Sequence, residues 1–194
     1  MKHIVVLAGF LISVALVRAQ TAQTAPTPVG LSSLDNSPLD MSYYPVDYPV
    51  LKIQDKIREP LIARVVYSRP QKRGRKLFGE LVTYGQVWRL GANEATEIEF
   101  FRDVKVGGKQ LKKGRYTLYA LVNTDSWTII FNKETDTWGA FRYDTAKDIL
   151  RAAAPVEKQS EVTEAFSIAF QKAAKGANLI FNWDDILVKL PISW

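Results

Sequence analysis

The sequence predicts an all-β protein, a single antiparallel β-sandwich of jelly-roll type, and three observations carry that prediction. Thr96–Phe101 sets Ile98 and Phe100 against Glu97 and Glu99, the two-residue period of a half-buried strand. Val104–Val106 and Lys109–Leu111 are short runs separated by Gly107-Gly108, a pair that supplies the positive φ of a tight hairpin turn. No apolar pattern of helical period is long enough for βαβ units, and turn signals recur about every 8–12 residues, as in sandwiches.

Ahead of that domain lie three segments. Lys2 and His3 precede an apolar run from Ile4 to Val17, and Val17-Arg18-Ala19 gives a small-residue exit, so residues 1–19 read as a secretory signal peptide. The run falls short of the roughly 20 residues a spanning helix needs. No cysteine follows it to carry a lipid anchor. The expectation is an exported protein, periplasmic or extracellular, that does not span the membrane once the leader is removed. Residues 20–33 form a flexible linker, because Gln20–Gly30 is rich in Thr, Ala and Pro and poor in groups that pack. Residues 34–60 are apolar, aromatic and interrupted by Pro38, Pro45 and Pro49, which oppose a regular helix or a central strand. Tyrosines in that number point to an extended arm packed on the domain, either structural or an aromatic lip over a binding site.

The sandwich is expected over residues 61–194. Leu61–Ser68 is β-rich and ends at Arg69-Pro70. After the Gly107-Gly108 hairpin, Gly114 turns the chain into Tyr116–Val122, and Asn123–Ser126 turns it into Trp127–Phe131. Trp138–Tyr143 and Ile149–Val156 are two further strands, and Glu164–Gln171 alternates Phe166, Ile168 and Phe170 with smaller residues. Lys172–Ala177 reads as a loop, and Asn178–Trp183 with Ile186–Leu190 as a closing hairpin around Asp184-Asp185. That acidic pair is a turn rather than a calcium loop, which would need more ligands and a glycine at a set spacing. A membrane barrel is disfavoured, since the strands look shorter than the roughly 9–11 residues a spanning strand needs.

Composition removes several classes of chemistry. There is no cysteine, which excludes disulfides, thiol nucleophiles and Cys-ligated zinc. The one histidine is His3, in the leader, so the exported chain has no Ser-His-Asp triad, imidazole base or His-ligated metal. Neither a Gly-rich phosphate loop nor a nucleotide fingerprint occurs, and no cofactor or metal is expected. The formal charge of +6 becomes +4 when Lys2 and Arg18 leave with the leader, too small an excess to imply nucleic acid.

Candidate chemistry concentrates in Tyr67–Phe101. Arg69, Lys72, Arg73, Arg75 and Lys76 form a basic loop that Gly74 lets turn, suited to anionic glycans, phosphorylated sugars or lipid headgroups, or else a solvated loop whose arginines cap carbonyls. Beyond it stand Tyr84, Trp88, Arg89, Asn93 and Glu94. Arg89 lies in an apolar run and needs a partner, because an unpaired buried charge costs on the order of several kcal/mol. Glu94 is one nearby carboxylate candidate and Glu80 another. The ligand-binding candidates are therefore Arg69, Arg75, Tyr84, Trp88, Arg89 and Asn93, with Trp88 or Tyr84 stacking on a sugar, and Glu94 is the one candidate acid or base. The competing reading is a structural Arg89–Glu94 pair with Trp88 in the core. Trp127 and Trp138 flank the turn Asn132–Thr137 and are expected in the core, the alternative being a stacking platform.

Three blocks resemble a bacterial exported family known as domain of unknown function 2911: SRPQKRGRKLFGELVTYGQVWRLGANEATEIEF (Ser68–Phe100), GGKQLKKGRYTLYALV (Gly107–Val122) and WTIIFNKETDTWG (Trp127–Gly139). SPLDMSYYP (Ser37–Pro45) fits as well, so the likeness runs from about Leu34 to Ile192. Many relatives read VPYG where this chain has Val82-Thr83-Tyr84-Gly85. The resemblance implies an exported β-rich domain and brings no established activity. Three functions stay open: a module binding a glycan or other anionic cell-envelope ligand, a carboxylate-dependent carbohydrate-active enzyme, and a structural or assembly protein.

Overall fold

The computed structural model describes residues 33–194. The expected leader and all but the last residue of the expected linker lie outside them. Among the described residues, β1 (Leu39–Tyr44), β2 (Ala63–Ser68), β3 (Val87–Trp88), β4 (Glu97–Phe100) and β5 (Val104–Val106) are followed by β6 (Lys109–Leu111), β7 (Gly114–Val122) and β8 (Ser126–Asn132). Two long strands, β9 (Asp148–Ala173) and β10 (Gly176–Ser193), complete the set. Every strand pair is antiparallel, and the order across one continuous sheet is β1-β2-β4-β7-β8-β9-β10-β5-β6, with β3 beside β7. The predicted all-β antiparallel class holds.

β9 organises the architecture. Its first part pairs with β8 and its remainder with β10, so one strand serves both regions of the sheet. The other end of the sheet then closes against it: past β2, Gln71 bridges Ala165, and the Phe166 N–H donates to the Pro70 carbonyl at 2.9 Å. The sheet thus curls around a single apolar interior. Trp127, Trp183, Phe100, Phe131, Phe166 and Phe181 are its largest fully buried side chains. A smaller cluster of Ala95, Tyr119 and Ile130, with Ala140 and Tyr143 packed on it, is separate from that interior.

Several expectations are corrected. Trp138–Tyr143 is not a strand; Trp138 makes one bridge to Glu94 and the chain then turns. The strands foreseen at Ile149–Val156 and Glu164–Gln171 are parts of β9, and the two foreseen around Asp184-Asp185 are one strand. Asp184 adopts φ 57° at a register shift, so it forms a bulge within β10 instead of a turn. β9 and β10 have 26 and 18 residues, which removes the strand-length argument against a membrane barrel. No helix among the described residues is long and apolar enough to cross a membrane.

The proline-rich segment is more regular than the sequence suggests. β1 pairs along its length with β2, and a short helix, α1 (Tyr48–Ile53), follows. Pro49 sits in the first turn of α1, where its missing N–H has no helical acceptor to satisfy and its fixed φ suits the helix. Tyr44 is buried, its ring edge-on to Phe170 and to Trp194.

Candidate functional site

Arg89 follows β3, and three unusual backbone conformations come directly after it. Leu90 has φ 53°, Gly91 φ 158° and Asn93 φ 56°. A Cβ at Gly91 would lie 3.2 Å from the Ser68 carbonyl oxygen, so only glycine lets the turn press against the end of β2 without displacement. The Trp88 indole N–H donates back to the Gly91 carbonyl at 3.2 Å, and the Thr96 hydroxyl donates to the Leu90 carbonyl. Turn and strand are locked together.

This local fold leaves Arg89 half-buried and alone. Its Nε is buried with no hydrogen-bond partner, and among the described residues it forms no ion pair with Glu94 or Glu80. Burial lowers its pKa from the ordinary arginine value, and no carboxylate contributes to offset that shift. A guanidinium stays charged throughout the working range of a protein, so the positive charge persists. The Ser68 hydroxyl, on the residue pressed against Gly91, is also buried and unpartnered.

Arg89 lines a cleft of roughly 200 Å³ together with Arg75, Ser37, Pro70, Trp88 and Trp183. Arg75 belongs to the basic loop, which turns at Arg73 (φ 49°) and Gly74 (φ 68°). The Arg75 guanidinium donates to the carbonyls of Lys72 and Gln71, which fixes it without neutralising it. Neighbouring lysines are neutralised instead: Lys72 pairs with Asp184, and Lys76 with Glu80 at 3.1 Å. The cleft therefore presents two guanidinium groups and no carboxylate among its lining residues. Trp88 and Trp183 stack at 5.9 Å with an interplanar angle of 15°, forming a rigid apolar wall.

The family of the chain is decided by sequence. A family model described as "Protein of unknown function (DUF2911)" matches residues 49–192. The chain belongs to the DUF2911 family. The matched span contains both arginines of the cleft and both tryptophans of its wall. No curated protein and no solved structure matches this DUF2911 chain.

The other predicted residues of this DUF2911 member are scattered. Arg69 is committed to the protein: it pairs with Asp40 at 3.0 Å and donates to the Phe166 carbonyl at 3.2 Å and the Ser167 hydroxyl at 2.9 Å. Trp88 is buried, as the competing core reading has it, and offers no free face for a sugar. Tyr84 is exposed, its ring against Gly79, outside the Arg89 cleft. Asn93 acts as a turn-former, its side-chain amide donating to Asp35 at 2.9 Å. Glu94 is exposed on a different cleft of roughly 180 Å³, with Glu97, Asp136 and Thr137. Arg89 and Glu94 are not brought together. Trp138, expected in the core, is 62% exposed.

Trp183 and Ser37 were not foreseen at the site. The alternation of Leu179, Phe181 and Trp183 places Trp183 on a core face, but its contact with Trp88 joins elements nearly a hundred residues apart, which no local pattern encodes. Among the described residues no cluster of His, Cys, Asp or Glu is placed to hold a metal.

Proposed function

We propose that this chain is an exported β-sandwich module that binds an anionic group on a cell-envelope ligand, with Arg89 and Arg75 as the charged contacts. One observation supports the reading above others: the Arg89 guanidinium is half-buried, its Nε has no acceptor, and no carboxylate lies in its cleft. A buried donor without an acceptor costs about 1–3 kcal/mol, more when charged, and an oxyanion entering the cleft would remove that cost. Arg75, held by backbone carbonyls, adds a second fork suited to carboxylate or phosphate. The shared ligand chemistry is a carboxylate or phosphate oxyanion, whether from an acidic glycan, a sugar phosphate or a lipid headgroup. A carboxylate-dependent enzyme gains no support here, because Glu94 lines another cleft.

The test is a thermal-shift titration with inorganic phosphate, glucose 6-phosphate and glucuronate, each against sodium chloride at matched ionic strength. Binding to the native state raises Tm with ligand concentration by mass action. The expected result is a rise with at least one of them that disappears in a still-folded Arg89→Ala variant and shrinks in Arg75→Ala. Flotation with anionic vesicles then separates a lipid source from a soluble one. If no anion shifts Tm and Arg89→Ala melts far below the parent protein, Arg89 is structural and the proposal fails.

A further inference from the structure

The segment Lys133–Tyr143, between β8 and β9, crosses the small Ala95–Tyr119–Ile130 cluster and exposes two large aromatic rings. Trp138 is 62% and Phe141 84% accessible. Exposed aromatics are common on loose loops, but this loop is tied at many points. The Ala95 N–H donates to the Thr137 carbonyl at 3.0 Å, and the Gly139 N–H to the Asn93 carbonyl at 2.9 Å. The Asp136 N–H donates to the Glu97 carboxylate at 2.6 Å, and the Thr137 and Tyr119 hydroxyls share a hydrogen bond of 3.1 Å. Phe141 lies over Gly139, where an added Cβ would meet its ring at 2.8 Å. The loop that carries the two exposed rings is held in place.

We propose that Trp138 and Phe141 form a stacking platform for the apolar face of a neutral saccharide, whose hydroxyls bind the adjoining polar cleft. That cleft has a volume of roughly 410 Å³ and is floored by Tyr119, Glu134, Asp136 and Arg142. Glu134 holds Lys147 and Asp136 holds Arg115 through one carboxylate oxygen each, so each has a second oxygen free to accept. Arg142 makes no ion pair among the described residues and offers its donor fork. Donors and acceptors thus alternate beside two aromatic rings whose negative faces attract the slightly positive C–H groups of a sugar. A loop already tied in place loses little freedom on binding, which favours a weakly held ligand of this kind. A protein partner is less suited, because a stable interface needs on the order of 1,000 Å² of complementary surface and this one is rimmed with charges.

This site shares no lining residue with the Arg89 cleft and does not rest on the anion reading. The experiment is calorimetric titration of the purified chain with maltohexaose, cellohexaose, chitohexaose and xylohexaose. At least one is expected to bind with a Kd below about 10 mM, the range of weak but specific recognition. Trp138→Ala and Phe141→Ala should each weaken that binding about tenfold or more with Tm unchanged, and Arg89→Ala should leave it intact. The proposal is overturned if none of the four binds or if Trp138→Ala leaves Kd unaltered. A dimer seen by sedimentation and abolished by Trp138→Ala would also overturn it, since the rings would then serve self-association.

Discussion

Arg69 and Asp40 meet at 3.0 Å, and the same guanidinium reaches the Phe166 carbonyl and the Ser167 hydroxyl of β9. One side chain therefore joins the edge strand β1 to the strand on which the curled sheet closes. Arg69→Ala should destabilise the protein by about 2–3 kcal/mol, since it removes three charge-assisted bonds and leaves a backbone acceptor unpaired. Arg69→Lys should recover only part, because an ammonium cannot reproduce the planar fork. Asp40→Asn should cost less than about 1 kcal/mol, its carboxylate being partly exposed. Urea denaturation measures all three, and faster amide exchange in β1 should mark the Arg69 variants.

Trp88 is stacked on Trp183 and edge-on to Trp127 and Phe166, so it is both core and the wall of the Arg89 cleft. Trp88→Ala should cost about 3–5 kcal/mol through cavity formation. Trp88→Phe should cost less, retaining the ring but losing the N–H bond to Gly91, worth about 1 kcal/mol. Because that bond fixes the turn beneath Arg89, the Phe variant should also reduce the anion-induced rise in Tm. Thermal melts with and without phosphate separate the two effects.

The elements most legible in the sequence were those with one wet face or an obligatory turn. Burial alternates along β4 as Ile98 and Phe100 require, and Gly107-Gly108 turns β5 into β6. The long strands were legible only in pieces. The mostly polar residues 157–163 in β9 and Asp184-Asp185 in β10 look like breaks, yet the sheet absorbs them as irregular pairing and a bulge. The apolar run around Arg89 marks a charge that enters the protein, and the structure leaves it half-buried with its Nε unpartnered. The competing reading, an Arg89–Glu94 pair, rests on closeness in sequence, whereas the φ values of Leu90, Gly91 and Asn93 turn the chain between the two. A large aromatic such as Trp138 is expected inside, whereas the tie of its loop to residues 93–97 holds it outside.

β10 bends so strongly that Gly176 at its start lies against Ile192 and Ser193 at its end. A Cβ on Gly176 would fall 2.1 Å from the Ile192 carbonyl oxygen and 2.8 Å from the Ser193 Cα, both backbone atoms that cannot rotate away. The residue also has φ 103°, a conformation side chains resist. Gly176→Ala should therefore cost more than about 3 kcal/mol, from strain and overpacking together. The neighbouring exposed Lys175→Ala should change stability by less than about 0.5 kcal/mol. Matched denaturant melts of the pair test whether the closure of β10 needs that glycine.

Tyr143 supplies a prediction about alkaline pH. Its hydroxyl donates to Asp148 at 2.7 Å and accepts from Arg151 at 2.7 Å, and its ring packs on Tyr119. Burial, then the hydrogen bond and charge of Asp148, push its pKa up to about 12, against the opposing pull of Arg151. Burial likewise raises Tyr44, Tyr67, Tyr116 and Tyr119. A phenol whose folded pKa exceeds its unfolded value of about 10 retains its proton in the native state while the unfolded chain loses it. The stability from that difference is fully present below pH 10 and disappears as pH rises through about 12. Tyr143→Phe lacks the titrating group, so the difference in Tm between parent and variant should be constant from pH 7 to 9 and shrink between 10 and 12. A difference that stays constant to pH 12 would mean that Tyr143 titrates alike in folded and unfolded chains, and that Asp148 does not hold its proton.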